Sequence, residues 1–150
     1  DPAAAGGLGV PRGPLWGQLQ RGEPVTLDDG RVVAPDQVLG PPRRGRRVAY
    51  VTDTAPAPGI RELLDGADVA FVESMFLAEH EAEARHKKHM TAAAAARLAR
   101  EAGVGQLVLV HLSPRYDDAD AARFVAEARA EHPRATVATD GARFAVPLPE

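Results

Sequence analysis

The sequence of 150 residues contains no cysteine and only 5% aromatic residues. The lack of cysteine excludes disulfide bridges and every metal site that is built on thiolate ligands. No apolar run approaches the ~20 residues that a membrane-spanning helix needs, and no signal peptide is visible. We therefore expect a cytoplasmic protein that has no membrane partner.

The sequence also lacks a large excess of charge of either sign, since its formal net charge is −3. Such a chain has no overall electrostatic attraction for nucleic acid, so any RNA contact depends on a local basic patch. The basic run is Pro41-Pro-Arg-Arg-Gly-Arg-Arg47, which suits a phosphate contact and equally a solvated loop. An apolar content of 45% is enough for one globular domain.

Apolar runs and helical segments alternate from residue 47 to residue 138. Their order, β-α-β-α-α-β-α-β, predicts an α/β layered fold with parallel strands. A hairpin is predicted over residues 25–33, and short strands over residues 136–138 and 144–146. Residues 1–24 are predicted to be a loop in which Leu15, Trp16 and Leu19 anchor a short turn or helix. In the helix predicted over residues 117–131, the side chains expected to face inward are Ala122, Val125 and Ala126, with Phe124 within reach of the core.

Ligand-type side chains stand where predicted strands end. Asp53 follows one strand, Glu73 ends the next, and His111 follows the apolar run at residues 107–110. His89 precedes an Ala-rich helix that begins at about Thr91. Parallel strands open toward the same edge of a sheet, so these side chains are expected to converge. Carboxylate oxygen and imidazole nitrogen together suit zinc, manganese or iron.

Each of these residues also has a structural interpretation. His111 suits a core histidine bonded to a backbone carbonyl, Glu73 a pair with an arginine, and His89 a cap on the following helix. His80 and His86, which lie in the charged segment before His89, are predicted to face solvent.

Several segments carry a resemblance to one family. Tyr50-Val-Thr-Asp-Thr54, Phe71-Val-Glu-Ser-Met-Phe76, His89-Met-Thr-Ala92 and His111-Leu-Ser-Pro-Arg-Tyr116 resemble the C-terminal motifs of ribonuclease Z. That family is the tRNA 3′-processing branch of the metallo-β-lactamase fold. Further segments resemble it in the same order: Leu8-Gly-Val-Pro-Arg-Gly-Pro-Leu-Trp-Gly17, Thr26-Leu-Asp-Asp-Gly-Arg31 and Gly40-Pro-Pro-Arg-Arg-Gly45.

The resemblance implies the C-terminal half of a metallo-β-lactamase αββα sandwich. Residues 1–24 would form a loop-rich segment, residues 25–46 a hairpin and basic loop, and residues 47–150 the half-domain. The family's main metal motif, His-x-His-x-Asp-His, and a further histidine ligand are expected upstream. We therefore expect the upstream half of the fold to be a partner, and this chain alone to be inactive.

The resemblance also implies roles for individual residues around two zinc ions. Asp53 would bridge both metals, and His111 would bind the second. Glu73 and His89 would together donate the leaving-group proton. Substrate-binding residues would be Ser113, Arg115 and Tyr116, with Arg115 suited either to a bidentate phosphate contact or to pairing with Asp117 or Asp118.

The implied activity is that of a zinc-dependent endoribonuclease which removes 3′ trailers from precursor tRNA, acting as a homodimer. Met75, Met90 and Pro114 depart from the residues commoner in these motifs, and none of them replaces a ligand. Two other functions stay open. One is part of another metallo-β-lactamase-fold hydrolase that acts on small phosphodiesters or esters, and the other is a non-catalytic half-domain that assembles with a partner chain.

Overall fold

A computed structural model describes residues 1–146 and residue 148. The chain divides into two compact units, the first at Asp1–Arg43 and the second starting at Arg44. Among the residues described, no helix has the length and apolar character needed to cross a bilayer.

The first unit contains two short helices and a hairpin around one apolar core. Helix α1 (Pro2–Gly7) and helix α2 (Pro14–Gln20) precede the antiparallel strands β1 (Val25–Thr26) and β2 (Val32–Val33). The predicted hairpin is confirmed, and Gly30 takes the positive φ of its turn, +86°. The short helix predicted around Leu15, Trp16 and Leu19 is confirmed as α2. The loop predicted for the rest of residues 1–24 is wrong at α1, because Pro2 starts that helix and the Asp1 carboxylate caps it.

The second unit is built on a four-stranded parallel sheet in the order β3-β4-β5-β6. Its strands are β3 (Val48–Val51), β4 (Val69–Glu73), β5 (Gln106–Val110) and β6 (Ala135–Val137). The helices of this unit are α3 (Pro58–Leu64), α4 (Glu81–Lys87), α5 (Ala92–Glu101) and α6 (Ala121–Glu131). The predicted order of strands and helices from residue 47 to residue 138 is confirmed.

Helices cover one face of this sheet. The strand residues of that face belong to one buried cluster with α3, α5 and α6, and the cluster includes Val51, Val72 and Leu109. Helix α5 buries Ala95, Ala96 and Ala99, small side chains that allow close packing. On the opposite face, β3 leaves Val48 56% and Tyr50 62% exposed.

Two further predictions for this unit are wrong. Residues 144–146 form no strand, and Phe144 instead packs edge-on against Phe71 with 5.4 Å between ring centroids. Helix α6 buries Phe124, the residue predicted to be within reach of the core, and Ala128. Of the three residues predicted to face inward, Val125 is half-buried, whereas Ala122 and Ala126 are exposed. The physical reason is that Phe124 and Ala128, one turn apart, form the inward stripe of a helix that begins only at Ala121 after a 3₁₀ turn.

The register of the sheet positions the site. Val51 pairs with Val72, and Glu73 pairs with Val110. The carboxyl ends of β3, β4 and β5 therefore meet at one edge, where the loops that carry Asp53 and His111 begin.

Candidate active site

Asp53 and His111 meet at the carboxyl edge of the sheet. The His111 Nε2 atom lies 3.2 Å from the Asp53 Oδ1 atom, with the His111 side chain 36% and the Asp53 side chain 63% exposed. The Thr52 hydroxyl donates to the same carboxylate oxygen at 2.7 Å. A carboxylate oxygen and an imidazole nitrogen, both of the types that bind metal ions, thus lie next to each other and are accessible to solvent.

Both residues have a left-handed backbone, with φ of 49° at Asp53 and 58° at His111. A non-glycine residue in this region costs roughly 1–3 kcal/mol, and such strain collects at functional sites. Lys88, which stands next to His89, is the third non-glycine residue with positive φ among the residues described. Lys88 is the left-handed residue that ends helix α4, a common helix end. The other two positive-φ residues, Asp53 and His111, are both predicted site residues.

Glu73 is the last residue of β4, and its side chain has no exposed surface. Its Oε1 atom accepts from the Thr54 N–H at 2.7 Å, and its Oε2 atom accepts from the Met90 N–H at 3.1 Å and the Met75 N–H at 3.3 Å. A buried carboxylate needs such partners to offset its loss of hydration. Glu73 therefore joins the loops that follow β3 and β4 to the segment that precedes α5.

His89 is the fourth partner of this carboxylate. Its Nδ1 atom lies 2.9 Å from the Glu73 Oε1 atom, and its side chain is 17% exposed. The cap of α5 is Thr91, whose hydroxyl accepts from the Ala94 N–H, so His89 is not the helix cap. The rings of His89 and His111 lie 5.5 Å apart between centroids. The structure thus brings Asp53, His111, His89 and Glu73 into one contiguous set.

The donors at this site would fill only part of a metal's coordination shell. A structural or catalytic zinc ion takes about three or four protein ligands. Within residues 1–146 and 148, no three His, Asp or Glu side chains are arranged to hold one ion. Asp53 and His111 have the donor chemistry of a zinc site, whereas Glu73 and the Nδ1 atom of His89 are engaged with each other. The residues present fit the metal as two of its ligands.

The predicted substrate-binding residues have their polar groups engaged within the protein. Ser113 is buried, and its N–H donates to the Met75 carbonyl at 3.1 Å. The Tyr116 hydroxyl accepts from the Leu77 N–H at 3.2 Å and lies 2.9 Å from the Nδ1 atom of His80. His80 is therefore half-buried, and the prediction that it faces solvent is wrong. His86 is exposed, as predicted.

Arg115 makes a two-pronged ion pair, but not with the predicted acids. Its guanidinium contacts the Glu83 carboxylate at 2.6 and 2.8 Å. Asp117 instead caps the 3₁₀ turn that precedes α6, so the alternative pairing of Arg115 with Asp117 or Asp118 is wrong. Sequence reasoning missed Glu83 and Thr54, because their partners lie 32 and 19 residues away along the chain.

Comparison with known proteins identifies the superfamily of the chain. A family profile described as "Beta-lactamase superfamily domain" matches residues 24–112. Ribonuclease Z of Myxococcus xanthus is 49% identical over 143 residues, which are 95% of this chain and 46% of that protein. Ribonuclease Z of Salinibacter ruber is 49% identical over 144 residues, which are 96% of this chain and 44% of that protein. The chain spans about half the length of these relatives.

Two solved structures are also similar. The metallo-β-lactamase fold protein YhfI of Bacillus subtilis has 27% identity and a TM-score of 0.56, and the match covers 63% of this chain and 37% of that one. Human short-form tRNase Z has 23% identity and a TM-score of 0.55, and the match covers 78% of this chain and 37% of that one. At that identity the human structure supports the fold alone.

Proposed function

The chain belongs to the β-lactamase superfamily, and we propose that it supplies the C-terminal half of the active site of a ribonuclease Z. The activity would be zinc-dependent endonucleolytic removal of 3′ trailers from precursor tRNA. One observation carries the proposal, namely the continuous set in which Asp53 contacts His111 at 3.2 Å and Glu73 contacts His89 at 2.9 Å. The curated relatives that carry the name ribonuclease Z support the choice of reaction.

Asp53 and His111 are the proposed metal ligands. Two zinc ions, when bound, supply an activated water and neutralise charge on the phosphate. Asp53 has two carboxylate oxygens and more than half of its side chain is exposed, which suits a group that bridges two ions. His111 offers a single nitrogen, Nε2, at the same edge of the sheet, which suits one ion.

His89 is the proposed general acid, and Glu73 is the residue that orients it. The Nδ1 atom of His89 faces the buried Glu73 carboxylate, which leaves the Nε2 atom as the nitrogen that can give a proton to the departing 3′ oxygen. The carboxylate is itself fixed by three backbone N–H groups, so the imidazole is held on a rigid support. General acid catalysis requires such fixed placement.

The exposed edge strand β3 supports the proposal that the other half of the fold packs against this edge of the sheet, whereas Val69 and Val108 on the same face are already buried. Val48 and Tyr50 expose more than half of their surface on the face opposite the helices. Apolar side chains grouped in this way usually mark a surface that another layer or partner covers. In this proposal the upstream half supplies the remaining metal ligands, this chain alone is inactive, and the assembled protein works in the cytoplasm as a homodimer.

The proposal is tested with the complete protein that contains this chain. Precursor tRNA and bis(p-nitrophenyl) phosphate are assayed in parallel, with and without zinc after chelation. We expect cleavage of the precursor at the 3′ end of the tRNA body in a metal-dependent reaction. Turnover of only the small phosphodiester would assign the chain to another hydrolase of the fold. Turnover of neither substrate by the zinc-loaded protein would favour a non-catalytic half-domain.

A further inference from the structure

The ion pair between Arg115 and Glu83 joins two segments that each carry a site histidine. Arg115 lies four residues after His111 in the same loop, and Glu83 lies on α4, which ends just before His89. The pair is bidentate, with N–O distances of 2.6 and 2.8 Å. About one third of each side chain is exposed, which is much less than for the Arg85–Glu81 pair on the same helix.

A second cation and an aromatic ring complete this contact. The Lys87 ammonium lies 2.9 Å from the Glu83 Oε1 atom. The Arg115 guanidinium and the Lys87 ammonium lie 5.1 and 5.8 Å from the centroid of the Phe76 ring, which is fully buried. The hydrogen bonds from Arg115 and Lys87 lower the pKa of the Glu83 carboxyl to about 2. We call Arg115, Glu83, Lys87 and Phe76 the histidine clamp.

The backbone links the clamp to His89. The Phe76 N–H donates to the Met90 carbonyl at 3.3 Å, and the Ala92 N–H donates to the Phe76 carbonyl at 2.9 Å. The His89 N–H donates to the Ala84 carbonyl at 2.8 Å, one residue from Glu83. A shift of α4 would therefore move the His89 ring.

The loop that carries His111 is linked to the same segment. The Ser113 N–H donates to the Met75 carbonyl at 3.1 Å, next to Phe76. The Arg115 N–H contacts the Ser113 hydroxyl at 3.5 Å, so Ser113 connects the segment of the ion pair to the loop that carries His111. The clamp thus spans the two segments whose histidine rings lie 5.5 Å apart.

We infer that the Arg115–Glu83 pair is a positioning device that fixes the spacing between His89 and His111, and that Arg115 does not bind the substrate phosphate. The inference rests on the proposed function, in which both histidines act on one phosphodiester. Its physical basis is the steep dependence of catalysis on placement, since an error of 1 Å costs roughly a hundredfold in rate. Both terminal nitrogens of the Arg115 guanidinium donate to the Glu83 carboxylate, which already neutralises the charge of Arg115 without a phosphate.

A double-mutant cycle on the complete protein separates positioning from phosphate binding. The variants are Arg115→Gln, Glu83→Gln and the double variant, with kcat and KM measured on precursor tRNA. We expect each single variant to lower kcat about tenfold or more with KM unchanged, and the double variant to fall no further. A phosphate-binding Arg115 would instead give a raised KM in Arg115→Gln, with no loss in Glu83→Gln. That result, or unchanged kcat in both singles, would overturn the inference.

Glu131→Gln is the matched control. Glu131 is also held by two basic side chains, Arg97 and Arg100, and it is 27% exposed against 33% for Glu83. It lies on α6, away from the proposed site, so kcat should stay within about twofold of the parent value. A loss equal to that of Glu83→Gln would show that any broken ion pair slows the enzyme, and would contradict the positioning role.

A second measurement does not depend on activity toward tRNA. Nuclear Overhauser contacts between the ring protons of His89 and His111 are recorded in the complete protein without substrate. We expect the contact in the parent and in Glu131→Gln, and a weaker contact in Arg115→Gln and Glu83→Gln. Full contact in the last two variants would refute positioning. If the parent fails to cut precursor tRNA, the proposed function falls while this measurement still decides the inference.

Discussion

The Nδ1 atom of His89 lies 2.9 Å from the Oε1 atom of Glu73, a carboxylate that is closed to solvent. Backbone N–H groups of Thr54, Met75 and Met90 donate to the same carboxylate. Glu73 therefore does more than orient one imidazole, because it also fixes the backbone beside Asp53 and beside His89. Loss of its charge should disturb the fold of the site as well as its chemistry.

Glu73→Gln should lower the free energy of unfolding of this chain by about 1–3 kcal/mol, because the amide NH₂ must face at least one backbone N–H. Urea denaturation of the two proteins measures the difference. The matched control is Glu81→Gln, a residue 65% exposed in one pair with Arg85, which should change stability by less than about 0.5 kcal/mol. Equal losses in both variants would show that Glu73 is not a structural centre of the site.

The backbone at Asp53 and His111 gives a second prediction about stability. Both residues have positive φ, 49° and 58°, where a Cβ atom is unfavourable. At each position the glycine variant should be more stable than the alanine variant by about 1 kcal/mol. At the exposed helical residue Ala122, the order should reverse, with alanine more stable than glycine by about 1 kcal/mol. Thermal unfolding of the matched variants checks the change of sign.

The strands and the residues at their ends were predictable because they depend on local pattern. The apolar run at residues 107–110 predicts a buried strand, and His111 follows it directly. Once that strand is placed in a parallel sheet, His111 must lie at the carboxyl edge of the sheet. Helix α1 was missed because it is short and contains two glycines, which disfavour a helix, and because its start depends on the cap that the Asp1 carboxylate provides. The Glu83–Arg115 pair was missed because the sequence shows only the i,i+4 spacing of Glu83 and Lys87 on one helix. It does not show that the loop after His111 brings Arg115 next to that helix.

Metal content should separate the roles of Asp53 and His111 in the complete protein. Asp53→Ala should abolish metal-dependent hydrolysis and lower the content of both metals, since it removes the group proposed to bridge them. His111→Ala should lose chiefly one equivalent, because one nitrogen serves one ion. Inductively coupled plasma mass spectrometry of dialysed protein gives the stoichiometry, with exposed His86→Ala as control. Two full equivalents in Asp53→Ala would contradict the bridging role.

The pKa of Glu83 predicts how this chain responds to acid. The folded-state pKa of about 2 lies below the ordinary value of 4.5, so the stabilisation is fully present above pH 4.5 and is lost as the pH falls through about 2. Glu83→Gln should therefore show a shallower fall in unfolding free energy between those values. Because the pair is partly exposed, 1 M salt should reduce the difference. If the unfolding free energies of the parent and of Glu83→Gln fell in parallel with pH at low salt, the stabilisation by the Glu83 carboxylate would be excluded.

The chemical role of His89 is tested by changing the leaving group. If His89 is the proposed general acid and not a metal ligand, its replacement by alanine in the complete protein should leave the zinc content unchanged. Its loss should slow cleavage of precursor tRNA by about a hundredfold to ten-thousandfold, because the ribose 3′ oxygen departs poorly without a proton. A p-nitrophenyl phosphodiester releases a stable phenolate, so its turnover should fall far less. Glu73→Gln should show the same selectivity in milder form, added to its loss of stability.

Comparison of kcat for both substrates, with zinc content measured on the same samples, decides the role of His89. Equal losses on both substrates, or loss of zinc from His89→Ala, would mean that His89 serves metal binding or structure.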